Sequence, residues 1–253
     1  MKCRIAILAL CFNMFITSVW AGPTSLFWTN CTTQVQPTGT GQLQVYNYFT
    51  VCNRRGHGQY FNPDIGFLIG AYSWEDLQLE VGVDYFGGAD DPLFFNGKVA
   101  IEEGKLFCHS PSFSAGIFNI GTRAKHHRTN QNIVDFVFGK SLPEWFGGTF
   151  YIGGFGGTKA MGRIQQGIMI GYLRNFCHTK DCNGKEYDKW SFCADWASGK
   201  NTIGGGGAAL CYYFTPDIYL ETGPVFFNTA KYNGTWKWSV QLYATFPLFD
   251  SKA

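Results

Sequence analysis

The chain has 253 residues, of which 45% are hydrophobic, 18% aromatic and only 15% charged, against roughly 25% charged in soluble domains. So little charge cannot coat an ordinary water-facing surface. A formal net charge of +2 also excludes the basic stripe that nucleic-acid phosphates require of a partner.

The first expected element is an export signal over residues 1–21. Lys2 and Arg4 form its basic end, Ile5 to Ile16 its apolar stretch, and Val19-Trp20-Ala21 a small-residue cleavage site. The apolar stretch is shorter than the ~20 residues a spanning helix needs, so a mature start at Gly22 is expected. Losing Lys2 and Arg4 lowers the basic count from 20 to 18, equal to the 18 acids, and leaves the mature chain near neutral. Residues 22–40 read as a short periplasmic segment and residues 41–253 as the folded domain. No later apolar run approaches a membrane helix, so any membrane residence must use strands.

From Gly41 onward, alternation and turn residues predict about twelve strands, with a range of 10–14. Their spans are 42–52, 64–73, 76–86, 94–102, 113–121, 132–140, 148–156, 164–174, 189–197, 203–214, 217–227 and 235–247. Most are nearly twice the mean soluble strand of about 5–6 residues and match the roughly 9–11 of a tilted membrane strand. In the segment from Asp76 to Phe86, Leu77, Leu79, Val81, Val83 and Tyr85 share one face, while Gln78, Glu80, Gly82 and Asp84 share the other. A soluble sheet turns the aliphatic face to a core, and a transmembrane barrel turns it to lipid.

Tight connections at Ser73-Trp74-Glu75-Asp76 and Thr215-Pro216-Asp217 fall at one end, and the polar loops 123–131 and 228–234 at the other. This is the asymmetry of periplasmic turns and external loops. The connections 103–112 and 175–188 are long yet fall at the tight end, which implies decorated turns or a count wrong by one hairpin.

The last strand decides between the two settings. Trp236, Trp238, Val240, Leu242, Ala244 and Phe246 alternate with Lys237, Ser239, Gln241, Tyr243 and Thr245. This resembles the terminal strand of bacterial outer-membrane β-barrel proteins, although Phe246 or Phe249 is followed by extra residues ending in Ala253. The resemblance is to a class. It implies an all-β fold, a single antiparallel transmembrane barrel in the bacterial outer membrane. Its partners would be outer-membrane lipid and lipopolysaccharide, and the barrel-insertion machinery that reads such a strand.

Carried along the other strands, the same parity points Glu80, Asp84, Lys98, Asp135, Asp195, Glu221, Lys237 and Gln241 into the lumen. Such charges could set the selectivity of a narrow, cation-preferring pore or close into a network that plugs it. A barrel of about twelve strands lies between side-chain-filled and open sizes. The function expected is a passive channel for small hydrophilic solutes; the alternatives are a disulfide-linked structural or adhesive envelope protein and, more remotely, a membrane hydrolase.

Seven cysteines remain after the signal, which suits an oxidising compartment. Cys177 and Cys182 could bridge locally, and Cys193 and Cys211 flank the Ser198–Thr202 turn with matching parity. Cys31, Cys52 and Cys108 complete an odd set, so one thiol stays free or pairs with another chain. Cys177, His178 and Cys182 lack an evident fourth ligand for a tetrahedral metal site, and neither metal nor cofactor is expected. His126 and His127, beside Lys125 and Arg128, suit solvent or lipopolysaccharide. His109 and Ser110 diverge as neighbours, and G-x-S-x-G is absent, so no enzyme is expected. The sequons at Asn30 and Asn233 matter only in a eukaryotic host. The runs Gly147-Gly148, 153–157 and 204–207 lack a P-loop ending and suit coiled strands or room beside aromatics.

Overall fold

The computed structural model describes residues 24–51, 61, 63–89, 91–125, 128–142 and 147–249. The expected export signal, Cys52, His126 and His127 lie outside them.

Twelve strands form one closed antiparallel barrel in which each strand pairs with its sequence neighbours and the last with the first. They are β1 (Thr40–Phe49), β2 (Asp64–Trp74), β3 (Leu77–Phe86), β4 (Leu93–Ile101), β5 (Ser112–Ile120) and β6 (Ile133–Leu142), followed by β7 (Gly148–Gly156), β8 (Gln166–Lys180), β9 (Glu186–Ala197), β10 (Gly205–Thr215), β11 (Ile218–Phe227) and β12 (Trp236–Pro247). Among the described residues, only short helical turns at Lys159–Met161 and Ala230–Asn233 interrupt the pattern. Closure removes every sheet edge, so no row of backbone amides and carbonyls is left unpaired.

All twelve expected strands are present, within a few residues of their expected ends. The departure is at β8 and β9. Residues read as a long connection, 175–188, instead extend the hairpin, leaving only 181–185 as its turn. The register stays in step from Asn175↔Ser191 to Lys180↔Glu186, with Cys177 at a positive φ of 62° between the pairs Phe176↔Trp190 and His178↔Asp188. Residues 175–180 are exposed or only half-buried, so the stretch carries no apolar face with period two and reads as a loop. The 102–111 connection is a decorated turn, in which Ser110 donates its amide to Phe107 and accepts from Gly104.

The barrel is apolar outside and polar inside. Leu77, Val81 and Tyr85 are exposed on β3, as are Val134, Phe136 and Phe138 on β6 and Leu242 and Phe246 on β12. Gln42, Glu80, Lys98, Asp135, Asp195, Glu221 and Gln241 are buried on the inner face. The hydrophobic effect cannot stabilise this arrangement in water, where exposed aliphatic belts of this extent mark association with another apolar phase.

Residues expected to lie in the periplasm form part of the interior. Thr24 to Gly39 run inside the barrel, with Leu26, Phe27, Cys31, Thr32 and Gln36 almost fully buried. The reason is visible in the sequence: Leu26, Phe27 and Trp28 are bulky and apolar, and the lumen offers them cover. The segment then runs directly into β1, after a parallel bridge from Thr38 to Gly70 of β2. Two glycines let it pass. A Cβ on Gly70 would lie 2.0 Å from the Pro37 carbonyl oxygen, and one on Gly171 would lie 2.3 Å from Leu26 Cδ1 and 2.9 Å from the Cys31 oxygen.

Candidate functional site

The inner wall and this amino-terminal strap build one site. Asp195 on β9 accepts from the Trp28 amide at 2.8 Å, the Thr29 amide at 2.6 Å and the Thr29 hydroxyl at 2.9 Å, all at Oδ2. Glu80 on β3 accepts the Gln36 amide at 2.8 Å. Lys98 on β4, the ladder partner of Glu80, donates to the carbonyls of Thr24 and Gln34, the latter at 2.9 Å. Gln241 on β12 donates to the Phe27 carbonyl at 3.0 Å. Charge-assisted hydrogen bonds of this kind are shorter and stronger than neutral ones. They also satisfy strap backbone that could not pair with the sheet.

Of the eight residues the sequence pointed inward, these four hold the strap and the other four bond to the wall or its loops. Asp84 accepts from Asn96 at 2.5 Å. Asp135 leans with Lys98 over Gly116, where a Cβ would lie 2.9 Å from Asp135 Oδ1 and 3.5 Å from Lys98 Cγ. Glu221 accepts from Cys193 and Tyr243. Lys237 donates to Thr50 at 2.5 Å. With Asp64 included, six carboxyl groups and two ammonium groups face inward on the strands.

Trp28 is the strap's largest anchor. Its indole N–H donates to the Ile203 carbonyl at 2.8 Å, and its ring meets Phe227 edge-on at 4.9 Å and Tyr48 at 5.7 Å between centroids. Aromatic pairs in such geometry add about 0.5–1.5 kcal/mol each beyond their buried area.

A cavity lies on each side of the strap. The one toward the tight-turn end, about 490 Å³, is lined by Thr33, Gln34, Val35 and Pro37 together with Glu102 and Tyr213. The one toward the loop end, about 440 Å³, is lined by residues 24–30 together with Asp64, Asp84 and Lys98. Beyond it, Asp91 ties two loops of this end together, accepting from the Thr122 and Thr129 hydroxyls and from the Thr122 amide at 3.2 Å.

The expected disulfides are not formed. Cys31, Cys108, Cys177, Cys182, Cys193 and Cys211 are all free thiols. Cys177 sits in the exposed end of β8 and Cys182 in the following turn. For Cys193 and Cys211, the expected pairing centred the hairpin one residue too far along, which puts the register off by two. The ladder pairs Cys193 with Ala209 and Cys211 with Ser191, making the cysteines diagonal neighbours, whose backbones are spaced too widely for an unstrained bridge. His178 is on the exposed hairpin, 3.5 Å from Glu186 and 3.3 Å from Asp188, and not in a cavity.

No protein-family model and no curated protein matches the sequence. Among solved structures, the COG4313 outer membrane channel from Pseudomonas putida F1 is similar at 11% identity and a TM-score of 0.45, over 85% of this chain and 98% of that one. The N-terminal β-barrel domain of Pseudomonas aeruginosa OprF is 11% identical with a TM-score of 0.21, over 83% of this chain and all of that one. Ail, the attachment invasion locus protein of Yersinia pestis, is 8% identical with a TM-score of 0.22, over 83% and 99%. These neighbours are outer-membrane β-barrel proteins. The architecture of this chain is established by its own closed ladder of twelve strands.

Proposed function

We propose that the protein is a bacterial outer-membrane channel for small hydrophilic solutes, occluded at rest by its own amino-terminal strap. An apolar exterior around a polar interior supports residence in a bilayer, and strands of 9 to 15 residues are long enough to cross one. The observation that carries the channel reading is that strap residues line both cavities. On this reading, removing the strap joins the two vestibules into one path. The strap is tied largely by hydrogen bonds to charged groups, which water can replace, and it is continuous only with β1.

The test is planar-bilayer conductance of the refolded mature chain beside a chain beginning at Thr38, both checked for folding by heat-modifiable gel mobility. Rare or small steps from the mature chain and large, persistent steps from the shortened one are expected. A shortened barrel that folds but stays silent would overturn the proposal, because the wall side chains alone would then close the lumen.

A second reading, an envelope protein crosslinked to a partner, is favoured by three exposed thiols at the tight-turn end: Cys108, Cys177 and Cys182. Reducible oligomers on a non-reducing gel of intact envelopes would support it.

A further inference from the structure

We infer that Cys193, Cys211 and Glu221 form a binding site for a thiophilic divalent metal ion of the Zn²⁺ class inside the barrel wall. The three residues come from adjacent strands β9, β10 and β11, and each is about 1% exposed. Their ligand atoms all lie within 4.8 Å of one another. Cys211 is the direct ladder partner of Glu221 on one side and of Ser191 on the other, so the inward parity of three strands brings the set together.

The spacing suits coordination. Bonds of about 2.3 Å to sulfur and about 2.0 Å to oxygen in a tetrahedron place ligand atoms about 3.5–3.8 Å apart. The ligand atoms lie no more than 4.8 Å apart, so shifts of about an ångström bring them to these separations. Cys193 donates to Glu221 Oε1 at 2.7 Å, while the Tyr243 hydroxyl donates to the other carboxylate oxygen at 3.0 Å. Oε1 is therefore turned toward the thiols and held from behind, the arrangement by which outer partners orient a ligating carboxylate.

An independent feature points the same way. Ser191 is fully buried, and its hydroxyl faces the Cys211 thiol and the Tyr213 hydroxyl. It stands across the ladder from Cys211 as a neutral fourth donor. Tyr219 stacks on Tyr243 at 4.4 Å and Tyr213 on Tyr219 at 4.7 Å, screening the site from the neighbouring cavity. Two sulfur donors select against hard ions such as Mg²⁺ and Ca²⁺.

On binding, the two thiols release their protons to solvent and the Cys193–Glu221 hydrogen bond is replaced by two bonds to the ion. Two thiolates, one carboxylate and one divalent cation leave a net charge of −1. A Cys193–Cys211 disulfide competes for the same sulfurs, but it needs the diagonal backbones to close up and takes the thiol donor away from Glu221.

The test is Co²⁺ titration of the refolded mature chain carrying Cys31→Ala and Cys52, Cys108, Cys177 and Cys182→Ser, with folding checked by gel mobility. One Co²⁺ per chain is expected, with thiolate charge-transfer bands in the near ultraviolet and tetrahedral bands in the visible, bleached by Zn²⁺. Cys193→Ser and Cys211→Ser each abolish the charge-transfer pattern, and Glu221→Gln weakens binding while keeping thiolate bands. If the substituted background does not fold, the unmodified chain and its Cys193→Ser/Cys211→Ser variant give the same comparison by difference. A folded chain without thiolate bands, or bands that survive loss of both cysteines, overturns the site. So does a Cys193–Cys211 disulfide found by mass spectrometry after refolding with the ion. Conductance plays no part in these readouts, so the result is independent of the channel reading.

Discussion

Thr29 presents both its amide and its hydroxyl to one oxygen of Asp195, 166 residues away, at 2.6 and 2.9 Å. With the Trp28 amide on the same oxygen, this carboxylate is the strap's principal polar tether. Asp195→Ala leaves two strap amides without an acceptor, at about 1–3 kcal/mol each where they stay buried. A loss of about 2 kcal/mol raises the released population roughly 30-fold. Cys31 reports it directly, being buried in the strap: in a chain with the other cysteines replaced by serine, its maleimide labelling should accelerate by that order, with Asp195→Asn intermediate. An unchanged labelling rate would show that this tether does not hold the strap.

Gly171 offers a steric route to the same state. Its missing side chain is the space that Leu26 and the Cys31 carbonyl occupy. Gly171→Val should leave the outer face of β8 intact and push the strap away, raising both Cys31 labelling and single-channel open probability. Gly171→Ala should act in the same direction but less strongly, because Leu26 Cδ1 can swing aside while the Cys31 backbone cannot. If Gly171→Val folds yet labels no faster than the parent, the strap does not depend on that close approach.

Most of the barrel was legible because its signal is repetitive and local. Period-two alternation through Leu77, Val81 and Tyr85 against Glu80 and Asp84 fixes which side faces outward, and the same parity located Lys98, Asp135 and Gln241 inside. The strap was not legible, since a single pass through a lumen has no period and its partners Asp195 and Gln241 are over 160 residues distant. The available clue was the bulk of Leu26, Phe27 and Trp28 in a segment otherwise suited to water. The end of the β8–β9 hairpin shows a different limit, because the exposed, largely polar stretch from Asn175 to Lys180 has no apolar face to reveal its period. The cysteine pairing failed for a third reason: symmetry about a turn gives a register only to within two residues, and two residues separate a direct neighbour from a diagonal one.

In the barrel beginning at Thr38, the six inward carboxyl groups face water, opposed by Lys98 and Lys237. Carboxylates lining a narrow lumen concentrate cations, so this barrel should prefer K⁺ over Cl⁻ in a salt gradient. Glu80→Gln with Asp84→Asn removes two of the six from β3 and should move the reversal potential toward zero without changing gel mobility. Anion preference in the parent, or no shift in the double variant, would remove these residues from the permeation path.

Acid should loosen the external loops before it opens the barrel. The Thr122 hydroxyl, then that of Thr129 and the amides of Thr122 and Arg123, hold the Asp91 carboxyl below the usual carboxylate range. A group depressed in the folded state stabilises it fully above the unfolded value of about 3.9, and the contribution disappears as pH falls through the folded value. Asp91 therefore keeps loop 87–92 tied to loop 121–132 at neutral pH and down through pH 5, and releases it only in stronger acid. Amide protection factors at Thr122, Arg123 and Thr129 should be flat from pH 7 to about 5 and fall below about 4. In Asp91→Asn they should be lower throughout and show no such fall. Matching profiles for parent and variant would mean that another group governs the acid response of these loops.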